Sequence, residues 1–131
     1  MINDKQQWKK RVEIFRFIFS TLMINNKDAN DIKQKAFESL KFDGVQMKVV
    51  EYFADHQQEI IDLISKQLVS GWTWDRIPEV DKALFISAYA EFKATNIDRK
   101  IIIDQSIITI KHFGDHGSIK YINAILDKII R

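Results

Sequence analysis

Lys9, Lys10 and Arg11 stand side by side near the N-terminus, with Lys5 one helical turn before them. Such side chains neutralise phosphates, and a phosphate contact accepts lysine in place of arginine. Residues 1–16 carry Lys5, Lys9, Lys10, Arg11 and Arg16 against Asp4 and Glu13, a net of +3 in a chain whose total is +2. The positive excess therefore sits at one end, the electrostatic footprint of an acidic partner. The same run also fits a solvated helix face. Two aromatics extend the chemistry. Tyr121 opens the last helical pattern beside a glycine turn, where it either stacks on an unpaired base or is partly buried. Phe19 falls on an apolar stripe and packs there, with an edge still able to stack. Asp81 either accepts a base amino group or serves as an acid in the first turn of a helix, where the dipole favours it.

Glu91 is the odd polar residue on a face that also carries Val80, Leu84 and Ala88. A buried carboxylate needs a partner, and Arg76, at the start of the same unit, is the expected one. One glutamate without a second carboxylate or a histidine beside it is weak ground for acid catalysis. Asn123 and Asp127, four apart, read as structural hydrogen-bonding residues at helix ends or loops. His112, Asp115 and His116 are metal-ligand types, but a turn between them breaks the register that i, i+4 ligation needs. No metal is expected. No phosphate-binding glycine loop, nucleophile elbow, zinc-protease or dinucleotide motif occurs, so neither a catalytic site nor a cofactor is expected. The chain has no cysteines, which removes disulfides and thiolate chemistry and fits the cytosol. No apolar run approaches the roughly 20 residues that span a bilayer, and the polar start lacks the core of a signal peptide. A cytoplasmic protein without a membrane partner is the expectation.

These residues need helices to hold them. With 131 residues, 46% hydrophobic and 29% charged, the chain fits one domain over residues 1–131. Four glycines and one proline are too few for a sheet sandwich. Residues 5–24 predict a helix with Trp8, Val12, Phe15, Phe19 and Leu22 on one stripe, widened by Ile18 and Met23. A second helix is expected over about residues 29–41, capped by Asp28 or Asn30, with Ile32, Ala36, Phe37 and Leu40 inward. A long helical pattern runs from Val45 to about Ser70, weakened at Asp55–Gln58, with Gly71 as its cap. Trp72–Pro78 is the one extended connection, and at least one of its two tryptophans is expected to plug the space between two helical layers. Another helix runs from Pro78 to about Ala94. The last third is a helical hairpin. Ile103, Ile107, Ile110 and Phe113 form one stripe; Ile119, Ile122, Leu126, Ile129 and Ile130 form the other. Gly114 and Gly117 give the turn its backbone freedom and Ser118 caps the last helix. The expected fold is all-α, about six helices in two packed subdomains.

The C-terminal run His112-Phe113-Gly114, then Ser118, then Tyr121-Ile122-Asn123-Ala124-Ile125-Leu126-Asp127 resembles the closing signature of the NusB family. Ile103-Asp104-Gln105-Ser106 stands in place of that family's I-N-E-A segment. The run Trp72 to Glu91 is similar to a second family block, with Trp72, Arg76, Val80, Asp81, Ala83, Ala88 and Glu91 at matching positions. The match is poorer at the N-terminus, where Lys9-Lys10-Arg11 replace an arginine-rich start. Phe19 stands for a tyrosine, and Phe85-Ile86 for a leucine-arginine pair. The resemblance implies an all-helical, non-catalytic factor that binds single-stranded boxA-like RNA jointly with the small ribosomal protein NusE. It places that factor in a transcription antitermination complex acting chiefly on ribosomal RNA transcription. On it, Lys5, Lys9, Lys10, Arg11, Phe19, Asp81 and Tyr121 are the RNA-binding candidates. An adaptor that kept the fold and lost RNA binding is the alternative. Whether the protein forms a homodimer is left open.

Overall fold

A computed structural model describes residues 4–39 and 42–131. Seven α-helices follow one another: α1 (Asp4–Met23), α2 (Ala29–Ser39), α3 (Gly44–Asp55), α4 (Gln57–Ser65), α5 (Glu79–Ala94), α6 (Arg99–Phe113) and α7 (Ile119–Ile129). Short 3-10 turns at Trp74–Arg76 and His116–Ser118 precede α5 and α7. No strand occurs among the described residues. The all-α expectation holds, with one helix more than expected, because the pattern from Val45 to Ser70 is two helices that meet at His56.

Helix α5 organises the molecule. It packs on α1, α3 and α4 from the N-terminal group and on α6 and α7 from the C-terminal hairpin. Ala83, Leu84, Phe85, Ile86, Ala88 and Ala90 are all buried on it. A helix apolar nearly all round has to be surrounded, and this one is. Four alanines (Ala83, Ala88, Ala90 and Ala94) leave room for neighbouring helices to approach.

Several local expectations change. Phe37 is 71% exposed: α2 packs chiefly on α3, so its buried face is only as wide as Ile32 and Ala36. Leu40 lies outside the described residues. Met23 is exposed at the end of α1. Of the two tryptophans, Trp74 is the one packed against the core, with the Lys82 ammonium 5.1 Å from its ring centroid, while Trp72 is 54% exposed. Gly71 is no helix cap; it turns the chain after α4 with φ +89, a conformation other residues rarely adopt.

The hairpin turn also differs from expectation. Ser118 makes no side-chain cap. Asp115 instead caps the 3-10 turn that leads into α7, accepting from the Gly117 N–H at 2.9 Å. Gly114 has an ordinary extended φ, and its need is for space: a Cβ there would meet Ile110 Cδ1 at 2.9 Å and the Ile110 carbonyl oxygen at 3.3 Å.

Candidate nucleic-acid interface

Successive side chains on a helix point roughly 100° apart, so three consecutive cations on α1 cannot share one surface. Lys10 reaches α3, where its ammonium pairs with Asp43. Asp43 also closes a capping box with Gln46 at the start of α3. The Gln46 backbone N–H, and then Lys10, hold the Asp43 carboxyl below the usual carboxylate range. Arg11 turns inward. Its Nε lies 2.9 Å from both carboxylate oxygens of Glu91 and its Nη2 2.7 Å from Oε2, while Nη1 donates to Gln105. The expected Arg76–Glu91 pair is therefore corrected. Arg76 is exposed and donates to the Gly71 carbonyl at 3.3 Å. Arg11, which reaches across from α1 between α5 and α6, is the partner of Glu91.

Lys9 remains exposed, and so do Lys5 and Arg16. At 3.6 residues per turn these three fall within roughly 40° of one another on α1. None of them meets a carboxylate at ion-pair distance among the described residues. Beside this stripe runs an aromatic row. Trp8 donates its indole N–H to Thr109 Oγ1 at 3.0 Å, and its ring lies 4.8 Å from His112. Phe113, the last residue of α6, is 37% exposed, and the Arg16 guanidinium sits over its ring at 5.1 Å. Phe15 supports the same ring from the core at 5.8 Å. Phe19 is half-buried against the core.

A second cluster joins the start of α5 to the start of α7. Asp81 is only 3% exposed, and its Oδ2 has no hydrogen-bond partner. Burial, and then the nearby Asp115 carboxylate, push the Asp81 carboxyl up to about 6. Tyr121 is 37% exposed and stands edge-on to Phe85, 6.0 Å between centroids. Burial, and then Asp81, push its phenol up to about 12. Ile86 is buried, so what stands at this position serves packing here and does not shape the surface. Asp127 accepts from Arg99 Nη2 at 2.8 Å, tying the end of α7 to the start of α6. Asn123 is exposed on α7 and its side chain bonds no other described residue. His112 and His116 each set a ring nitrogen against a backbone carbonyl. No cluster of three or more metal-ligating side chains occurs among the described residues.

The model of the NusB family matches residues 9–131. The chain belongs to the NusB family. It is 32% identical over 127 residues to the transcription antitermination protein NusB of Ligilactobacillus salivarius, covering 92% of this chain and 97% of that one. The Bacillus subtilis protein of the same name is 32% identical over 101 residues, 76% of each chain. Among solved structures, Thermotoga maritima NusB superposes with a TM-score of 0.79 at 25% identity, covering 94% of this chain and 89% of that one. A Mycoplasma genitalium protein described as structurally homologous to NusB proteins superposes with a TM-score of 0.69 at 22% identity, covering 87% and 90%; this likeness concerns the fold.

In this NusB-family chain the structure thus keeps Lys5 and Lys9 together on an open face and gives Lys10 and Arg11 to internal pairs. It leaves Asp81 and Tyr121 as a separate cluster. Arg16 and Phe113 join this face beyond the residues that the sequence points to. For Arg16 the signal was there: it lies seven residues, two helical turns, from Lys9. Phe113 was not findable this way, because its place beside Arg16 depends on how α6 packs on α1.

Proposed function

We propose that this NusB-family protein is a non-catalytic transcription antitermination factor. It binds boxA-like single-stranded RNA together with the ribosomal protein NusE and so promotes ribosomal RNA transcription. The observation that supports this most is the α1 stripe: Lys5, Lys9 and Arg16 share one exposed face, none meets a carboxylate at ion-pair distance among the described residues, and the half-buried Trp8 and the exposed edge of Phe113 lie alongside. Cations that track a backbone next to rings that accept bases are the ingredients of a single-strand site. Lys5 and Lys9 contact phosphates. Tyr121 stacks on a base; Asp81 is buried at the start of α5 with its unpaired oxygen closed to solvent, so it supports this surface without touching a base. Phe19 contributes a ring edge at most, since most of its ring packs against the core. Lys10 and Arg11 support the site indirectly by fixing α1 against α3 and α5.

A stripe of three cations offers few phosphate contacts, so binding by this protein alone is weak and NusE completes the site. Linkage makes the help mutual: whatever factor NusE adds to RNA affinity, RNA adds to NusE affinity. The test is RNA titration with NusE absent and at saturation, over a range of salt. A tightening of roughly 5–150-fold is expected, with affinity falling as salt rises. Equal RNA affinity in the two conditions would favour the adaptor reading, in which the fold and the protein partner are kept without RNA.

A further inference from the structure

We infer that a polar chamber where α1, α5 and α6 meet is a binding site for one ordered water molecule, which completes the joint that Arg11 makes between these helices. The chamber has a volume of about 20 Å³. All three helices give it polar walls: Arg11 from α1, Ser87 and Glu91 from α5, and Gln105, Ser106 and Thr109 from α6. A water molecule needs roughly 10–15 Å³ of such space and two to four polar partners, whereas an apolar chamber stays dry. This chamber meets both conditions, and its size suits a single water.

The hydrogen bonds around the chamber say what fits it. The Ser106 hydroxyl donates to the Ile102 carbonyl at 2.7 Å, and the Ser87 hydroxyl to the Leu84 carbonyl at 3.1 Å. The Thr109 hydroxyl donates to the Gln105 carbonyl at 3.1 Å and accepts from the Trp8 indole N–H at 3.0 Å. A hydroxyl has one proton and two lone pairs. All three have therefore given their proton to their own helix and keep only acceptors. Gln105 supplies the complement. Arg11 can only donate, so it holds the Gln105 amide oxygen toward itself, and the amide NH2 group donates to no other described residue. A water matches this pattern in both directions. Its two protons go to the oxygens of Ser87 and Ser106, and its oxygen accepts from Gln105. That makes three bonds, the usual number for a buried water. An ion does not fit in its place: the Arg11 guanidinium repels a cation, the Glu91 carboxylate repels an anion, and the two already neutralise each other at 2.7 Å.

The site bears on how α1 is held. Helices α1 and α6 both pack on α5, and long side chains join them to each other: Trp8 to Thr109 and Arg11 to Gln105. A water bonded to Gln105 and to the two serines braces the amide that receives Arg11 and ties it to α5. Helix α1 carries Lys5, Lys9 and Arg16, so this brace helps to set where that stripe stands relative to α6. Gln105 also lines the wider groove of about 510 Å³ beside Lys5 and Trp8. It thus stands between the chamber and the outside, on the route by which the water exchanges. None of this depends on what the stripe binds.

The experiment is a high-resolution crystal structure of the full chain, joined to oxygen-17 magnetic relaxation dispersion in solution, which counts long-lived waters and times their exchange. It compares wild type with Ser106→Val and Gln105→Met. Ser106→Val removes an acceptor and puts a methyl group into the space. Gln105→Met keeps the length of the side chain and loses the amide. Wild type is expected to show one water within hydrogen-bond distance of Ser87 Oγ, Ser106 Oγ and Gln105 Nε2. Ser106→Val is expected to lose that water and to show one long-lived water fewer in solution. Gln105→Met is expected to keep the wild-type count with a shorter residence time, and it decides the matter alone if Ser106→Val does not fold. A wild-type chamber that holds no water, or that a moved side chain fills, overturns the inference. So does a water that stays in place in Ser106→Val, or a residence time unchanged in Gln105→Met.

Discussion

Arg11 and Glu91 show what a single residue's surroundings decide. Their side chains are 15% and 11% exposed, so removing one leaves the other charge largely out of water without a partner. Arg11→Met is expected to cost about 2–4 kcal/mol, a little under the range for fully buried pairs. Adding Glu91→Leu should recover most of that, because the stranded carboxylate is gone. Urea unfolding of the two variants checks it; a double variant as unstable as the single one would show that the loss is in packing. A consequence for function follows: neutralising Lys9, Lys10 and Arg11 together is a poor test of RNA binding, since it breaks two internal pairs. Asp81 is the opposite case. Its carboxyl is raised from 3.8 to about 6, so between those values the folded state holds a proton that the unfolded chain has released. Stability from this group therefore falls as pH rises through roughly 4 to 6, then stays flat. Asp81→Asn should gain about 1–3 kcal/mol at pH 8 and little at pH 4. Equal gains at both pH values would remove ionisation as the cause. Asp43, whose carboxyl is lowered, runs the other way: its contribution is present at neutral pH and lost in acid.

At the scale of the element, the helices were legible wherever one face is buried continuously. The stripe Ile122, Leu126 and Ile129 on α7, with Ile130 just past its end, is buried as its spacing requires, and so are Ile103 and Ile110 on α6. The reading failed where position on a helix does not follow from period alone. Lys9, Lys10 and Arg11 looked like one cluster because they are neighbours in sequence; the helix sends them to three different environments. Glu91 drew its partner from a helix 80 residues away in sequence, and no local pattern carries that information. Phe37 is apolar and so expected inward, but α2 has too narrow a contact to bury it. The loop tryptophans have no period at all, so which of them packs is settled only by the fold. Turns have an element-scale test of their own. Gly114→Ala would force a Cβ to 2.9 Å from Ile110 Cδ1, which side-chain movement relieves only in part because the Ile110 carbonyl is also close. A loss of about 1–3 kcal/mol is expected, measured as a fall in thermal midpoint. No loss would mean that the hairpin turn yields freely.

For the whole molecule, the feature with the widest consequence is the central position of α5. The N-terminal group α1, α3 and α4 buries its apolar faces against a helix that begins only at Glu79. During synthesis, then, α1 has no permanent neighbour on that side until the stretch 24–78 and α5 itself have been made. At roughly 5–20 residues per second that is a delay of several seconds, far longer than the microseconds a helix needs to form. The nascent chain spends that time as preformed helices with greasy faces and nothing to close them, and Arg11 waits without Glu91. A fragment ending at residue 78 should reproduce this state. It is expected to show helical far-ultraviolet circular dichroism, no fixed near-ultraviolet signal from its tryptophans, and strong binding of an apolar dye. A sharp, cooperative melt of that fragment would mean the first half closes on itself, and that α5 joins a finished structure. If the fragment is instead open, the chain is most vulnerable to aggregation and proteases while it is still attached to the ribosome, and a holding chaperone would have its longest opportunity there.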